Sequence, residues 1–186
     1  AIKISLKELY GEKPLNSPDL ARIINESQFK KLAHFLQGAK KNGQILLGGE
    51  IDHKLMKISP TLIEICDVSD PLMSEEIFGP LLPLITIQNL EMAIADIRKR
   101  PRPLAMYMFG GTKSQQRTLL KETSSGGVCF NDVILQCGIP ELPFGGVGAS
   151  GIGRYHGFSG FETFSNQKSI LERPFWLDIK FRYPPY

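Results

Sequence analysis

The chain has 186 residues, 42% of them hydrophobic and 22% charged, which suits a well-buried globular domain and excludes a disordered chain; one domain is the default. Its 22 basic and 19 acidic residues leave a net charge of +3 with the signs interspersed, so no nucleic-acid partner is indicated. No apolar run reaches the length of a membrane span, no apolar leader opens the chain, and three cysteines without CxxC spacing argue against a disulfide framework and a zinc site, leaving a reducing, cytoplasmic compartment as the expectation.

Along the chain, Ile2, Leu6 and Leu9 recur with helical spacing as far as Gly11, and no capping residue precedes them. The opening therefore reads as the tail of a longer element in a fragment or processed chain, although a short opening helix after loss of an initiator Met has the same pattern. The stretch "NESQFKKLAHFLQGAKKNG" predicts a helix with Asn25 or Ser27 as cap, an apolar face of Phe29, Leu32, Phe35 and Leu36, and Gly43 as terminator. After it come a short strand in "QILLGG", two short strands around Pro60 in "LMKISPTLIEI", and a buried strand in "LLPLITI", where Pro83 sits awkwardly.

The pattern then becomes regular. "NLEMAIADIRKR" places Leu90, Ala93, Ile94 and Ile97 on one helical face, and the basic cluster Arg98 to Arg102 falls where that helix ends and cations are favoured. "PLAMYMF" reads as a strand, "TKSQQRTLLKETSSGG" as a helix closed by Gly126 and Gly127, and "VCFNDV" as another strand. Strands and helices alternating at these lengths predict right-handed crossovers, hence an α/β fold with a mainly parallel sheet and flanking helices.

In "PFGGVGASGIGRYHG", Gly146, Gly148 and Gly151 have the G-x-G-x-x-G spacing of dinucleotide-binding loops, and Glu172 lies at the distance expected of a ribose-binding acid. That device needs a strand leading in and a helix leading out. "QCGIPELPF" before it reads as loop, and "RYHGFSGFETFS" after it lacks helical periodicity, so the glycines are read as a surface loop anchored by Phe144.

"SEEIFGP" (74–80), "PLAMYMF", "ETSSGGVCFND" and "LPFGGVGASGIGRYHG" together resemble, in order and spacing, the aldehyde dehydrogenase superfamily, nearest its class 3 branch, which includes fatty-aldehyde dehydrogenases. The resemblance runs from near residue 1 to "RYPP" at 182–185 and implies an enzyme that oxidises aldehydes with NAD or NADP. It implies that residues 1–160 are the C-terminal part of the catalytic domain and that 161–186 form a closing segment. Within that segment "FETFSNQKSILERP" resembles the family's oligomerisation strand, so a homodimer of the full-length protein is implied.

Carried over residue by residue, Glu76 matches the acid that hydrogen-bonds the nicotinamide ribose, and Phe78 the aromatic beside the nicotinamide ring. Gln28 and Lys31 match a helix face that reaches the cofactor, and Phe144 a position lining the aldehyde tunnel. Apart from the resemblance, the residues suit a solvated loop acid, a strand-side core aromatic, a solvated helix face and a loop anchor. Asn131 and Asp132 lie at a strand's carboxyl end, where a site or a loop cap is possible, and His156 suits a hydrogen-bonded structural role better than that of a base. The family's nucleophilic cysteine and general-base glutamate have no counterpart in this chain. Cys66, Cys129 and Cys137 fall at other positions and read as buried or loop-packed thiols, with Cys137 the one whose cover is least secure. Two other classes remain open: a non-catalytic binding or assembly module of the same fold, and a dehydrogenase that uses the glycine loop directly.

Overall fold

A computed structural model of the chain describes residues 1–185. The first helix, α1 (Ile2–Tyr10), ends at Gly11, whose positive φ of 78° breaks the helical run where the periodicity stops. It buries none of its residues, and Ile2, Ile4 and Leu9 are exposed.

Helix α2 (Glu26–Lys41) starts at Asn25, not Ser27: the Asn25 side chain accepts from Gln28 N at 2.8 Å. In its first turn Glu26 pairs with Lys30 at 2.7 Å, and that hydrogen bond and charge hold the Glu26 carboxyl below its usual range. The apolar face of α2 is the one the spacing indicated, with Phe29, Leu32, Leu36 and Ala39 buried. Gly38 lies on the exposed side of α2, and an added Cβ there would meet nothing within 4 Å. Gly38→Ala should therefore raise stability by about 0.5–1 kcal/mol by removing unfolded-chain freedom, read as a higher denaturation midpoint with unchanged slope.

Beneath α2 lie β1 (Ile45–Leu47), β4 (Thr61–Glu64) and β5 (Leu81–Leu84), in the order β1-β4-β5. β4 and β5 are parallel, whereas β1 runs antiparallel to β4. A small antiparallel hairpin, β2 (Ile51–Asp52) with β3 (Lys57–Ile58), adds a strand that the sequence pattern did not reveal. Leu32, Leu36, Ile58 and Ile63 form the centre of this core at 0–1% exposure. β5 is less buried than its composition suggested: Leu81 is buried but Leu82 is 50% exposed. Being an edge strand among the described residues, β5 accommodates Pro83, whose missing N–H would break a central ladder.

Helix α3 (Leu90–Lys99) buries Ile94 and carries Arg98 and Lys99 in its last turn, as the charge pattern indicated. β6 (Ala105–Met108), α4 (Lys113–Glu122) and β7 (Gly127–Phe130) then form a βαβ unit with β6 and β7 parallel. A capping box opens α4: Thr112 Oγ1 accepts from Gln115 N at 3.2 Å, and Gln115 Oε1 accepts from Thr112 N at 2.8 Å. The helix closes at Thr123, in extended conformation, not at Gly126 and Gly127. Gly127 begins the strand, and Gly126 serves a close backbone approach.

The glycine loop has no strand leading into it beyond an isolated bridge between Phe144 and Tyr155. Gly148–Ser150 form a single 3-10 turn, and Gly146 is bare because a Cβ there would stand 2.0 Å from Ser150 O. A short helix, α5 (Gly157–Thr163), does follow, contrary to the absence of periodicity. Two local devices make it: Phe158 and Phe161 stack at 6.0 Å on one face, and Thr163 Oγ1 accepts from Arg154 N at 3.3 Å. It begins six residues past Gly151, too late to aim its N-terminus at phosphates held by those glycines.

The segment expected as an oligomerisation strand carries no strand in this chain. α5 takes its beginning, and residues 166–174 have no regular secondary structure, because an extended segment needs a neighbouring edge and none pairs with it among the described residues. Phe164, Ile170 and Leu171 are exposed there. The chain divides into two compact units, residues 1–92 and 93–186. No helix among the described residues is long and apolar enough to cross a membrane.

Candidate functional site

Residues 74–80, "SEEIFGP", connect a 3-10 turn (Pro71–Met73) to β5. The turn is set by Asp70, whose side chain accepts from Leu72 N at 2.9 Å and starts the turn that buries Leu72. At its far end Pro80 O accepts from Thr61 N at 2.8 Å, which registers β5 on β4. Ile77 packs on the core between these fixed ends.

Helix α2 grips the loop from one side. The spacing i, i+3, i+4 puts Gln28, Lys31 and Leu32 on one face. Gln28 Nε2 donates to Ile77 O at 2.6 Å and to Phe78 O at 3.1 Å. Lys31 Nζ donates to Glu76 O at 3.3 Å and forms an ion pair with Glu75 at 3.2 Å. A Cβ on Gly79 would stand 2.4 Å from Leu32 Cδ1, so any side chain there would have to displace the buried leucine. Phe78, between these contacts, has a positive φ of 46°, a strained region for a residue with a side chain.

The loop keeps its chemistry on the outside. Glu76 is exposed, its carboxylate takes no hydrogen bond from the described residues, and Phe78 is 62% exposed. A carboxylate with two free oxygens accepts from vicinal hydroxyls, and an exposed aromatic face takes a planar ring. Glu76, Phe78, Gln28 and Lys31 are therefore brought together at one loop, where Gln28 and Lys31 are engaged with the backbone. Sequence reasoning did not single out Glu75 or the Leu32–Gly79 contact; the glycine between Phe78 and Pro80 was the available signal.

Phe144 lies in the second unit and is half-buried. Its backbone exchanges two hydrogen bonds with Tyr155, at 2.9 and 2.7 Å, and its ring lies 5.9 Å from that of His156. The expected hydrogen-bonded histidine is instead packed by rings: Tyr155 stands 4.5 Å away, and Nδ1 is buried without a partner among the described residues. Asn131 is a loop cap, its Oδ1 accepting from Gly110 N at 2.7 Å, and Asp132 accepts from Val133 N. Of the three free cysteines, Cys66 is exposed while Cys129 and Cys137 are partly covered, which reverses the expectation that Cys137 has the least cover. Cys66 follows the last residues of β4, where the sheet no longer shields it.

Helices packed on small sheets, with one parallel strand pair joined by a helix in β6–α4–β7 and another, β4–β5, joined by the loop that carries Glu76 and Phe78, define an α/β protein. The description "Aldehyde dehydrogenase family" matches residues 2–170, and the chain belongs to that family. Rat aldehyde dehydrogenase family 3 member A2 is 45% identical over 99% of this chain and 38% of its own length. The substrate-bound structure of Staphylococcus aureus AldH matches with a TM-score of 0.85 and 40% identity over all of this chain and 40% of that one. Mycobacterium tuberculosis aldehyde dehydrogenase complexed with NAD+ matches with a TM-score of 0.73 and 27% identity, over 90% of this chain and 34% of that one. The chain spans 34–39% of the length of the curated relatives it matches.

Proposed function

We propose that this chain is part of a longer NAD- or NADP-linked aldehyde dehydrogenase that oxidises aldehydes to carboxylic acids through a cysteine thiohemiacetal. The nucleophilic cysteine and general-base glutamate then belong to a part of the longer protein preceding this chain. Family membership supports this, and one observation carries it to residues: the 74–80 loop turns its backbone to α2 and leaves the Glu76 carboxylate and Phe78 ring outward.

The cofactor, when bound, supplies the acceptor for the hydride that aldehyde oxidation removes. Glu76 accepts hydrogen bonds from the ribose hydroxyls, and Phe78 packs beside the nicotinamide and fixes its orientation. Gln28 and Lys31 belong to the same cofactor-binding site. Phe144 lines the aldehyde path, where an aromatic wall favours an apolar substrate tail. Residues 161–186 close the catalytic domain and supply a strand to a neighbouring subunit, giving a homodimer of the full-length protein. The exposed Phe164, Ile170 and Leu171 suit such a covered surface. A cytoplasmic location without nucleic-acid partners completes the proposal.

The test is NAD(P)H absorbance with a medium-chain aldehyde and each cofactor, on this 186-residue chain and on a longer protein extended upstream of it. Activity is expected only in the longer protein. Turnover by the short chain would make Cys66, Cys129 or Cys137 the nucleophile and overturn the assignment.

A further inference from the structure

We infer that Gln28 and Lys31 act on the cofactor site as positioning residues, through the loop backbone: they hold the carbonyls of residues 76–78 against α2 and so keep Phe78 in its left-handed conformation. This rests on the proposal that Glu76 and Phe78 contact the cofactor.

Three successive carbonyls, those of Glu76, Ile77 and Phe78, accept from a single helix face. In an extended strand successive carbonyls point to opposite sides, so this pattern requires a coiled backbone, and Phe78 supplies it with its φ of 46°. Both N–H groups of the Gln28 amide have an acceptor in this arrangement, one at Ile77 O and one at Phe78 O. Lys31 is divided between the Glu76 carbonyl and the Glu75 carboxylate. A left-handed conformation at a residue with a side chain persists only where the surroundings over-determine it. Here the surroundings are these four hydrogen bonds, the packed Ile77 on one side and the bare Gly79 against Leu32 on the other. Without the grip, the loop is free to relax to extended backbone, which turns alternate side chains to the opposite face and displaces Phe78 relative to Glu76.

Gln28→Glu separates this role from direct cofactor contact. The glutamate has the same shape but no N–H, and it faces two carbonyl oxygens. If residue 28 met ribose hydroxyls directly, a carboxylate would serve as their acceptor and binding would hold. In the longer protein, Gln28→Glu and Lys31→Met should speed proteolytic cleavage within residues 75–79 about tenfold without cofactor, the equivalent of about one lost hydrogen bond. They should also weaken NADH binding, read by fluorescence titration, by about tenfold. Lys31→Arg should restore both, since the guanidinium keeps the donors.

For Lys31→Met, unchanged loop cleavage together with weakened NADH binding would overturn the positioning role in favour of direct contact, as would tight NADH binding by Gln28→Glu. Glu76→Gln tests the underlying site separately. Weakened NADH binding with undisturbed loop cleavage supports that reading, and unchanged binding overturns both it and the role built on it.

Discussion

Replacing Leu32 with alanine should destabilise the protein by about 2–5 kcal/mol, the range for truncating a buried leucine in a core that only partly collapses. Leu32 is 0% exposed and sits in the same cluster as Leu36, Ile58 and Ile63. It is also what Gly79 packs against, with 2.4 Å between a built Cβ and Leu32 Cδ1. Gly79→Ala alone should therefore be destabilising as well, since a fully buried leucine has nowhere to move. The double variant separates these effects: once Leu32 has lost its δ-carbons, the alanine at 79 has room. The two costs should fall short of additivity by about 1 kcal/mol or more in chemical denaturation of the single and double variants. Full additivity would mean that helix and loop are not in contact and would remove one support of the loop geometry.

Gly126→Ala should cost about 3 kcal/mol or more, measured as a fall in denaturation midpoint. A Cβ there would lie 2.2 Å from Gly145 O and 2.4 Å from Leu104 O. Both obstacles are backbone, so no rotamer change relieves them. Leu104 and Gly126 immediately precede β6 and β7, and Gly126 N donates to Pro103 O at 3.0 Å while Gly127 N donates to Leu104 O at 2.9 Å. Moving Gly126 would therefore disturb the start of the β6–β7 pairing and the residue beside Phe144 together. Gly43→Ala gives the contrast. Its φ is positive, at 68°, whereas Gly126 lies outside the left-handed region, and a Cβ on Gly43 would meet nothing within 4 Å. The cost there is conformational only, about 1 kcal/mol. An effect at Gly126 no larger than that at Gly43 would show that the close approach does not explain the glycine at 126.

Helix termini and apolar faces were legible in the sequence wherever the deciding contacts are local. Asn25 caps α2 through a residue three positions on, and Gly11 and Gly43 stop helices through their own φ. The β6–α4–β7 unit was legible for a related reason, since a strand, a helix and a strand of these lengths leave little choice but a parallel crossover. Strand β2 escaped because two residues carry no periodicity, and with it the pairing of β3 in a hairpin. α5 escaped because Gly157 and Gly160 weaken its pattern, while Thr163 and the Phe158–Phe161 pair hold it from the outside.

The sequence by itself determined the family, through four motifs in order, the α/β character with the parallel β6–β7 pair, and the two outward residues of the proposed cofactor site, Glu76 and Phe78; the pairing as a whole is mixed and not mainly parallel, since β1–β4 and β2–β3 are antiparallel. Only the tertiary structure decided what Gln28 and Lys31 do. Their acceptors lie 44 to 50 residues away, so nothing near them in the chain distinguishes a solvated helix face from a grip on a loop. The same holds for the antiparallel placement of β1, the left-handed Phe78 and the unpaired run at 166–174. Each is settled by whether a partner from elsewhere in the chain supplies the hydrogen bonds that the backbone needs, and local propensity carries no record of that partner.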